Sequence, residues 1–187
     1  MQYSQFFETC DRLASKKSIA LVKGALLPAF IEAVVSDKAM DNEFRALVLI
    51  SLSGGLRISE ALALTRENFE KQENCLYLRA KVLKRRKNEQ RWARIHPQAS
   101  DFVENYIRDK VGAVVKLSQP TAYRRMQRHF QVEGVCNHSL RHSNISYLLF
   151  EQNMTHIKAA KLLHVHTKTI EHYAHLDERR ALKQLWG

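Results

Sequence analysis

The chain has 187 residues, which suits one well-filled domain and would crowd two. Apolar residues make up 45% of it, and no run approaches the roughly eighteen apolar positions of a membrane span. Glu8, Asp11 and Arg12 interrupt the N-terminus, which excludes a signal or transit peptide. We therefore expect a single globular domain over residues 1–187, no membrane association and a cytoplasmic location.

The charge favours a polyanionic partner. Thirty Lys and Arg face nineteen Asp and Glu, giving a formal net charge of +11 and a pI near 9.8. From Arg79 to Arg94 the chain carries eight basic residues and a single acid, Glu89. We interpret this as an indication of nucleic acid binding, and a location on the nucleoid when the protein is bound to DNA follows from it.

The first half of the chain is predicted to be helical before a hairpin. Residues 1–40 have helical spacing, and Pro28 is tolerable in a first turn. Asp41 is a suitable N-cap for a second helix, which Gly54–Gly55 would end because glycine readily adopts left-handed backbone. A short helix over Ser59–Leu64 is expected next.

Two strands follow, Cys75–Val82 and Arg91–Ile95, and the turn composition of Lys87–Gln90 predicts a hairpin between them. Its basic tip is either a solvated edge or a finger on a phosphate backbone, and the scarcity of acids favours the finger. The hairpin residues predicted to contact DNA are Lys84, Arg85, Arg86 and Arg91.

Helical spacing returns over Pro97–Lys110 and again from Pro120, where Tyr123, Met126 and Phe130 are predicted to line the inner side. The opposite side of the second helix carries Arg124, Arg125, Arg128 and His129. That stripe is either a solvated face or a phosphate contact, and we predict DNA contacts for its three arginines.

Three helices are predicted to complete the domain, over Ser139–Glu151, Thr155–Leu163 and Thr167–His175. In the tail, 176–187, the apolar side formed by Leu182, Leu185 and Trp186 either folds back or docks on a neighbour. The predicted fold class is mostly α with a small antiparallel β-sheet (α+β).

Several residues of the chain suit chemistry on a phosphodiester. Attack by a side-chain hydroxyl needs a nucleophile, cations on the non-bridging oxygens and a proton for the departing alkoxide. Arginine clamps phosphate better than lysine, whereas lysine and histidine can transfer protons. The residues that meet these needs are Arg57, Arg141, the hairpin lysines, His138, His164 and Tyr173.

A metal site is the main chemical alternative, because His138 and His142 stand four residues apart and His164 and His166 two apart. The three cysteines are scattered without a Cys-x-x-Cys pair, and no His-Glu-x-x-His arrangement occurs. We therefore expect neither a metal nor a disulfide framework.

Four segments resemble the motifs of the tyrosine recombinases, the family of phage integrases, Xer-type resolvases and fimbrial inversion recombinases. Gly54 to Glu60 is similar to the segment with the first catalytic arginine, and His138-Ser139-Leu140-Arg141-His142 resembles the His-x-x-Arg box. Leu163-His164 resembles the Gly-His box twenty-three residues after Arg141, and Tyr173 follows nine residues later. The resemblance covers about Asp41 to His175.

The resemblance implies a catalytic domain that breaks and rejoins double-stranded DNA through a 3′-phosphotyrosyl intermediate, in recombination or in integration of mobile elements. It implies Tyr173 as nucleophile, His138 as general base and Lys87 as general acid, with Lys84 second and Lys81 third. Arg57, Arg141 and His164 would stabilise the pentavalent phosphate. No cofactor is implied, and the partners would be DNA and other recombinase protomers in a synaptic assembly.

Two departures from the family pattern shape the expectations. Leu163 replaces a small residue and is expected to crowd the backbone beside His164. About forty residues precede the Asp41 helix, too few for the family's full N-terminal clamp domain. The alternative hypothesis is a regulator or accessory factor on the same fold that binds DNA without cutting it.

Overall fold

The structure is a computed structural model, and it describes residues 2–10, 19–82, 89–171 and 173. Its described residues form eight α-helices and five β-strands. The helices are α1 (Leu27–Ser36), α2 (Asn42–Gly54), α3 (Ile58–Leu62), α4 (Pro97–Ile107), α5 (Gln119–Phe130), α6 (Asn137–Phe150), α7 (His156–Leu163) and α8 (Thr167–Glu171). The strands are β1 (Phe7–Cys10), β2 (Ile19–Val22), β3 (Phe69–Gln72), β4 (Cys75–Lys81) and β5 (Gln90–Arg94). The predicted mostly α architecture with small antiparallel sheets is confirmed.

Helix α2 begins and ends where the sequence predicts. The Asp41 carboxylate accepts a hydrogen bond from the backbone N–H of Phe44 at 3.0 Å, as an N-cap does. The helix ends at Gly55, whose φ of 56° is left-handed. Ten of its residues are buried, so α2 is the central helix of the domain.

The N-terminal segment differs from the prediction of helices over residues 1–40. Strands β1 and β2 pair antiparallel, with Phe7 opposite Val22, and α1 is the only α-helix among the described residues of this region. The ladder gains partners from the far end of the chain, because the Val22 N–H donates to Ser143 Oγ at 2.8 Å. Local periodicity does not report partners so far away in the sequence, and helices were therefore predicted where β1 and β2 form.

The second sheet has the strand order β3-β4-β5 and is antiparallel throughout. The hairpin β4–β5 was predicted, whereas β3 was not. Residues alternate along β4, with Leu76, Leu78 and Ala80 buried and the intervening positions partly or fully exposed. One face of this sheet therefore belongs to the core, and the other faces solvent.

Two apolar clusters hold the described elements together. The larger one surrounds α2, and the smaller one joins Ile145 and Leu149 of α6 to Leu163, Ile170 and Tyr173. On α5, Met126 and Phe130 are buried as predicted, but Tyr123 is 49% exposed, so its assignment to the inner side is wrong. The smaller cluster positions Tyr173 against α6.

The remaining boundaries shift slightly. Helix α3 begins at Ile58 with Arg57 as its N-cap, rather than at Ser59. Thr155 caps α7 as predicted, because its hydroxyl accepts from the Lys158 N–H. The end of the predicted last helix and the tail 176–187 lie outside the described residues. No helix in the described part of the chain is long and apolar enough to cross a membrane.

Candidate active site

The turn between α2 and α3 places Arg57 at the edge of the core. Gly55 is left-handed, and Leu56 after it is fully buried, so the chain reverses and Arg57 becomes the N-cap of α3. The Arg57 backbone N–H donates to Glu60 Oε2 at 2.9 Å, and Arg57 Nη1 donates to Glu60 Oε1 at 2.7 Å. Glu60 thereby fixes both the backbone and the side chain of Arg57.

Three arginines surround the Glu60 carboxylate, whose side chain is almost fully buried. Besides the contact with Arg57, Arg91 Nη2 lies 3.7 Å and Arg141 Nη1 lies 3.8 Å from Glu60 Oε2. One negative charge therefore faces three positive ones. We call these four residues the arginine cluster.

Arg91 lies beneath the site instead of on the exposed face of the hairpin. Its side chain is 1% exposed, and its Nη2 donates to the carbonyl oxygens of Gly54 at 2.9 Å and Gly55 at 3.1 Å. Side chains alternate between the two faces of β5, and position 91 faces the core. Arg91 is therefore buried although it lies in a highly basic stretch of sequence. The guanidinium of Arg91 is enclosed, so Arg91 does not belong to the exposed basic tip with which it was grouped from the sequence.

Arg141 comes from the second turn of α6 and reaches the same turn. Its Nη1 donates to the Gly55 carbonyl oxygen at 2.5 Å. Burial, together with the nearby charges of Arg57 and Arg91, lowers the pKa of Arg141 to about 10, so it stays charged at neutral pH. Burial likewise lowers the pKa of Arg91.

The arginine cluster retains unused hydrogen-bond donors. Arg141 Nη2, Arg91 Nε and Arg91 Nη1 are buried and have no hydrogen-bond partner among the described residues. Buried donors without acceptors cost free energy, and buried like charges repel. An anion with several oxygens, such as a phosphodiester, would satisfy both conditions at once.

Tyr173 meets the His-x-x-Arg box of α6. Its Oη is hydrogen-bonded to Nδ1 of His142, and the two rings lie 5.7 Å apart. His138, one turn earlier, packs edge-on against His142 with ring centroids 5.5 Å apart. His142 directly follows Arg141 in α6, and the charge of an ionised Tyr173 would raise the pKa of Arg141, so the phenol lies within electrostatic range of the arginine cluster. His142 therefore contacts the phenol, whereas only His138 of this box was considered as a base from the sequence.

His164 lies at the end of α7 with φ at 48°, a left-handed conformation that ends the helix. Its Nδ1 lies 3.5 Å from Glu89 Oε2 at the end of the hairpin, and its side chain is partly exposed. Leu163, expected to crowd this backbone, is buried and points instead toward Gly55, where a Cβ on residue 55 would come within 2.9 Å of its Cδ2. Because Gly55 has no side chain, Leu163 has room there.

The other predicted contacts fall into two groups. Arg124 and Arg128 are exposed on α5, and Arg125 pairs with Asp41 at 2.5 Å. Lys84, Arg85, Arg86 and Lys87 lie outside the described residues. Lys81, the third choice of general acid, is exposed at the end of β4.

Three site residues escaped the sequence reasoning or were misread. Glu60 was named from the sequence only as the last residue of the Gly54 to Glu60 segment, although its spacing of three from an N-cap is a capping signal. Arg91 was counted with the basic tip, although strand alternation predicts its inward direction. His142 was weighed only as a metal ligand. The described residues contain no group of three or more His, Cys, Asp or Glu placed to hold a metal ion.

The fold that carries this site is that of the tyrosine recombinase catalytic domain. Solved structures of tyrosine recombinases match the chain with probability 1.00. Identities of 13–20% make this a likeness of fold.

Two of the similar structures show its extent. The XerH site-specific recombinase, in a pre-cleavage complex with its difH substrate, is 20% identical with a TM-score of 0.68, and the match covers 86% of this chain and 51% of that one. The catalytic domain of bacteriophage HP1 integrase is 20% identical with a TM-score of 0.58, covering 78% and 81% of the two chains.

A third match is the Tn1549 transposon integrase in complex with circular intermediate DNA, at 15% identity and a TM-score of 0.59 over 89% of this chain and 67% of that one. The chain spans about half the length of the XerH protein. No family model and no curated protein matches its sequence.

Proposed function

We propose that this protein cuts and rejoins double-stranded DNA with Tyr173 as nucleophile. The observation that carries the proposal is the hydrogen bond of Tyr173 to His142, the residue next to Arg141 in a largely buried cluster of three arginines and one carboxylate. A phenol, an adjacent imidazole and an excess of buried positive charge are what transesterification of a phosphodiester requires. The DNA-bound state of the XerH and Tn1549 structures supports duplex DNA as substrate.

In the first step, the Tyr173 oxygen attacks the scissile phosphorus and the 5′-oxygen leaves. The bond that forms is a 3′-phosphotyrosyl ester, and the bond that breaks is the P–O5′ bond. The phenolic proton passes to a histidine, and the free 5′-hydroxyl receives a proton from a lysine. Attack by that hydroxyl, or by another strand's, reverses the step with no net change in bond type.

We assign the base role to His142 in preference to His138. His142 Nδ1 is hydrogen-bonded to the phenol, the contact that a general base requires, and His138 packs edge-on against the ring of His142. His138 would then act as a positioning residue that holds the His142 ring.

The arginine cluster would hold the non-bridging oxygens. Arg57 and Arg141 approach from either side of Glu60, and the buried Nη2 of Arg141 has no hydrogen-bond partner among the described residues. Because guanidiniums in a site shielded from water stabilise a developing charge strongly, this cluster supplies the electrostatic part of catalysis. His164 is the proposed third donor.

The DNA interface would combine the hairpin with α5. Arg124 and Arg128 are exposed and suited to phosphate contacts, while Arg125 would have to release Asp41 first. Lys84, Arg85 and Arg86 remain proposed contacts, and Lys87 remains the proposed general acid. Synaptic assembly of several protomers, through Leu182–Trp186, is likewise a proposal that rests on the recombinase fold.

The decisive test takes inverted repeats in the DNA that flanks the gene as candidate substrates. Nicked duplexes with these repeats should trap a covalent protein–DNA complex in denaturing gels. Tyr173→Phe should abolish the complex, and Tyr123→Phe, which alters an exposed tyrosine of α5, should keep it. Specific binding by the wild type without any covalent complex would identify a regulator that does not cut.

The choice of base is tested by single-turnover cleavage. His142→Ala should slow cleavage by roughly 10²–10⁴-fold and remove the acid limb of the pH–rate profile. His138→Ala should slow it less and keep that limb. The reverse ranking would return the base role to His138.

The choice of acid is tested with a 5′-bridging phosphorothiolate, whose sulfur leaves without protonation. Lys87→Ala should lose cleavage of ordinary DNA and regain it on this substrate, and Lys84→Ala should do neither. If neither variant is rescued, the general acid lies elsewhere.

A further inference from the structure

The solvent-facing side of the β4–β5 hairpin is a second candidate surface for nucleic acid. Three cross-strand pairs lie on it, Tyr77 with Arg94, Arg79 with Trp92, and Lys81 with Gln90. Successive pairs on one face are about 7 Å apart, as two residues of an extended strand dictate. We call the residues Tyr77, Arg79, Lys81, Trp92 and Arg94 the outer hairpin face.

Trp92 is the central feature of this face. Its side chain is 45% exposed, although tryptophan is the largest apolar side chain and is usually covered. The Arg79 guanidinium lies over the ring, 5.6 Å from its centroid. One face of the indole is thus held by a cation, which fixes the ring while leaving accessible surface for a second flat group.

The charge of the face is one-sided. Strands β4 and β5 carry three exposed cations, Arg79, Lys81 and Arg94. Neither strand contains an acidic residue. Two acids lie at the margins of the face. Glu70 of β3, opposite Tyr77, accepts a hydrogen bond from Gln72, and Glu89, directly before β5, lies 3.5 Å from His164. The cations therefore keep a net positive field around Trp92.

We propose that the outer hairpin face binds unpaired nucleotides of single-stranded DNA, with a base stacked on Trp92 and phosphates paired with Arg79, Lys81 and Arg94. Exposed aromatic residues on a sheet, interleaved with cations, offer a stacking surface and a backbone track together. In duplex DNA the bases hide their flat faces against each other. Only an unpaired base can therefore use the tryptophan. The proposal does not depend on cleavage by Tyr173.

Trp92 also provides the measurement. The chain has two tryptophans, Trp92 and Trp186, so in Trp186→Phe the indole fluorescence reports Trp92 alone. Titration of this variant with a thymidine oligonucleotide of about ten residues should quench the emission to saturation. Linear polyphosphate, which has charge without bases, and a duplex of equal length should leave most of the emission.

Binding of a labelled oligonucleotide by anisotropy separates stacking from charge. Trp92→Ala should weaken it by about 5- to 150-fold, the effect of losing one stacked base, while Trp92→Phe should retain most of the affinity. Arg79→Ala should reduce the slope of log K against log salt by about 0.7. Tyr123→Ala and Lys38→Ala, which change an exposed aromatic and an exposed cation elsewhere, are the controls.

Two results would overturn the proposal. Equal affinity of Trp92→Ala and the wild type would show that only charge attracts the oligonucleotide. Equal quenching by the duplex or by polyphosphate would show that Trp92 does not stack on an unpaired base. Either result leaves the covalent-complex test of Tyr173 unaffected, so the two proposals fail separately.

Discussion

The two faces of one hairpin use arginine in opposite ways. Arg91 on β5 is 1% exposed and donates to two backbone carbonyl groups, whereas Arg79 on β4 is exposed and lies over Trp92. The parity of the strand position separates the two environments. The inward arginine helps to build a site, and the outward one contributes to the field that attracts a polyanion.

The buried and exposed arginines should also differ in what their loss costs in stability. Burial makes Arg91 dependent on Glu60 and on the Gly54–Gly55 carbonyls, so a change on the inner side should cost several kcal/mol. A change among exposed cations should leave stability nearly intact and alter binding instead.

The largest effect is expected for Glu60→Gln. This change leaves three clustered guanidiniums without their carboxylate and should lower the free energy of unfolding by about 3–5 kcal/mol. Urea denaturation measures the loss. The matched control is Glu104→Gln, which breaks an exposed pair with Lys71 and should cost less than about 1 kcal/mol. Similar losses in both variants would contradict the contrast between buried and exposed charges.

Gly55→Ala comes next. A Cβ at this left-handed position would meet Asn144 Oδ1 at 2.5 Å and Leu163 Cδ2 at 2.9 Å, so strain and overpacking should together cost about 2–4 kcal/mol. Gly112→Ala is the control, because its φ is also left-handed but nothing lies within 4 Å, and it should cost about 1 kcal/mol. Thermal or urea unfolding measures the stability of both variants. The difference between their losses is the cost of overpacking at position 55.

A second buried carboxylate, Asp37, predicts a pH dependence. Burial opposes its ionised form, but hydrogen bonds from Tyr3 and the Ala39 N–H, with His129 beside it, outweigh burial and lower the pKa of Asp37. A lowered pKa stabilises the fold above the unfolded-state value near 3.9, and that stabilisation disappears as the pH falls through the folded value.

Asp37→Asn should therefore cost roughly 1–3 kcal/mol at pH 7 and much less near pH 2.5, as measured by urea unfolding at both. Asp109→Asn, at an exposed position, should change stability by less than about 0.5 kcal/mol at either pH. A loss for Asp37→Asn that does not vary with pH would show that its charge is unimportant.

The smallest stability effect is expected for Arg124→Ala combined with Arg128→Ala. Both side chains are exposed, so unfolding should shift by less than about 0.5 kcal/mol. The slope of log K for duplex DNA against log salt should nevertheless fall by about 1.8, or 0.9 for each lost contact. Arg108→Ala with Lys38→Ala removes the same charge elsewhere, and an equal change in slope would show that α5 has no special role.

The sequence predicted the caps, turns and hairpin that depend on neighbouring residues. It missed the strands that depend on partners far along the chain. The Asp41 cap, the left-handed Gly55 and the β4–β5 hairpin depend on neighbours in the chain, and the structure confirms them. Strand β2, which pairs with β1, donates hydrogen bonds to Gly134 and Ser143, more than 100 residues along the chain, and the local periodicity that suggested a helix contains no sign of them.

The candidate site shows the same division. The motifs predicted Arg57, Arg141 and Tyr173, and the structure brings them together without testing their roles. The contact of His142 with Tyr173 spans 31 residues and depends on how α6 packs against the smaller apolar cluster. Pattern reasoning on His138 and Arg141 could not rank the two histidines, because both lie on the same side of one helix.

The hydrogen bond from Val22 to Ser143 joins residues 121 positions apart. At translation rates of about 5–20 residues per second, Val22 is made on the order of ten seconds before its partner. During synthesis the N-terminal strands and the Arg57 turn thus wait for α6, and Tyr173 emerges later still. Strand β2 therefore cannot complete its hydrogen bonds until α6 has been made, and the nascent chain carries Arg57 and Arg91 before Tyr173 is added.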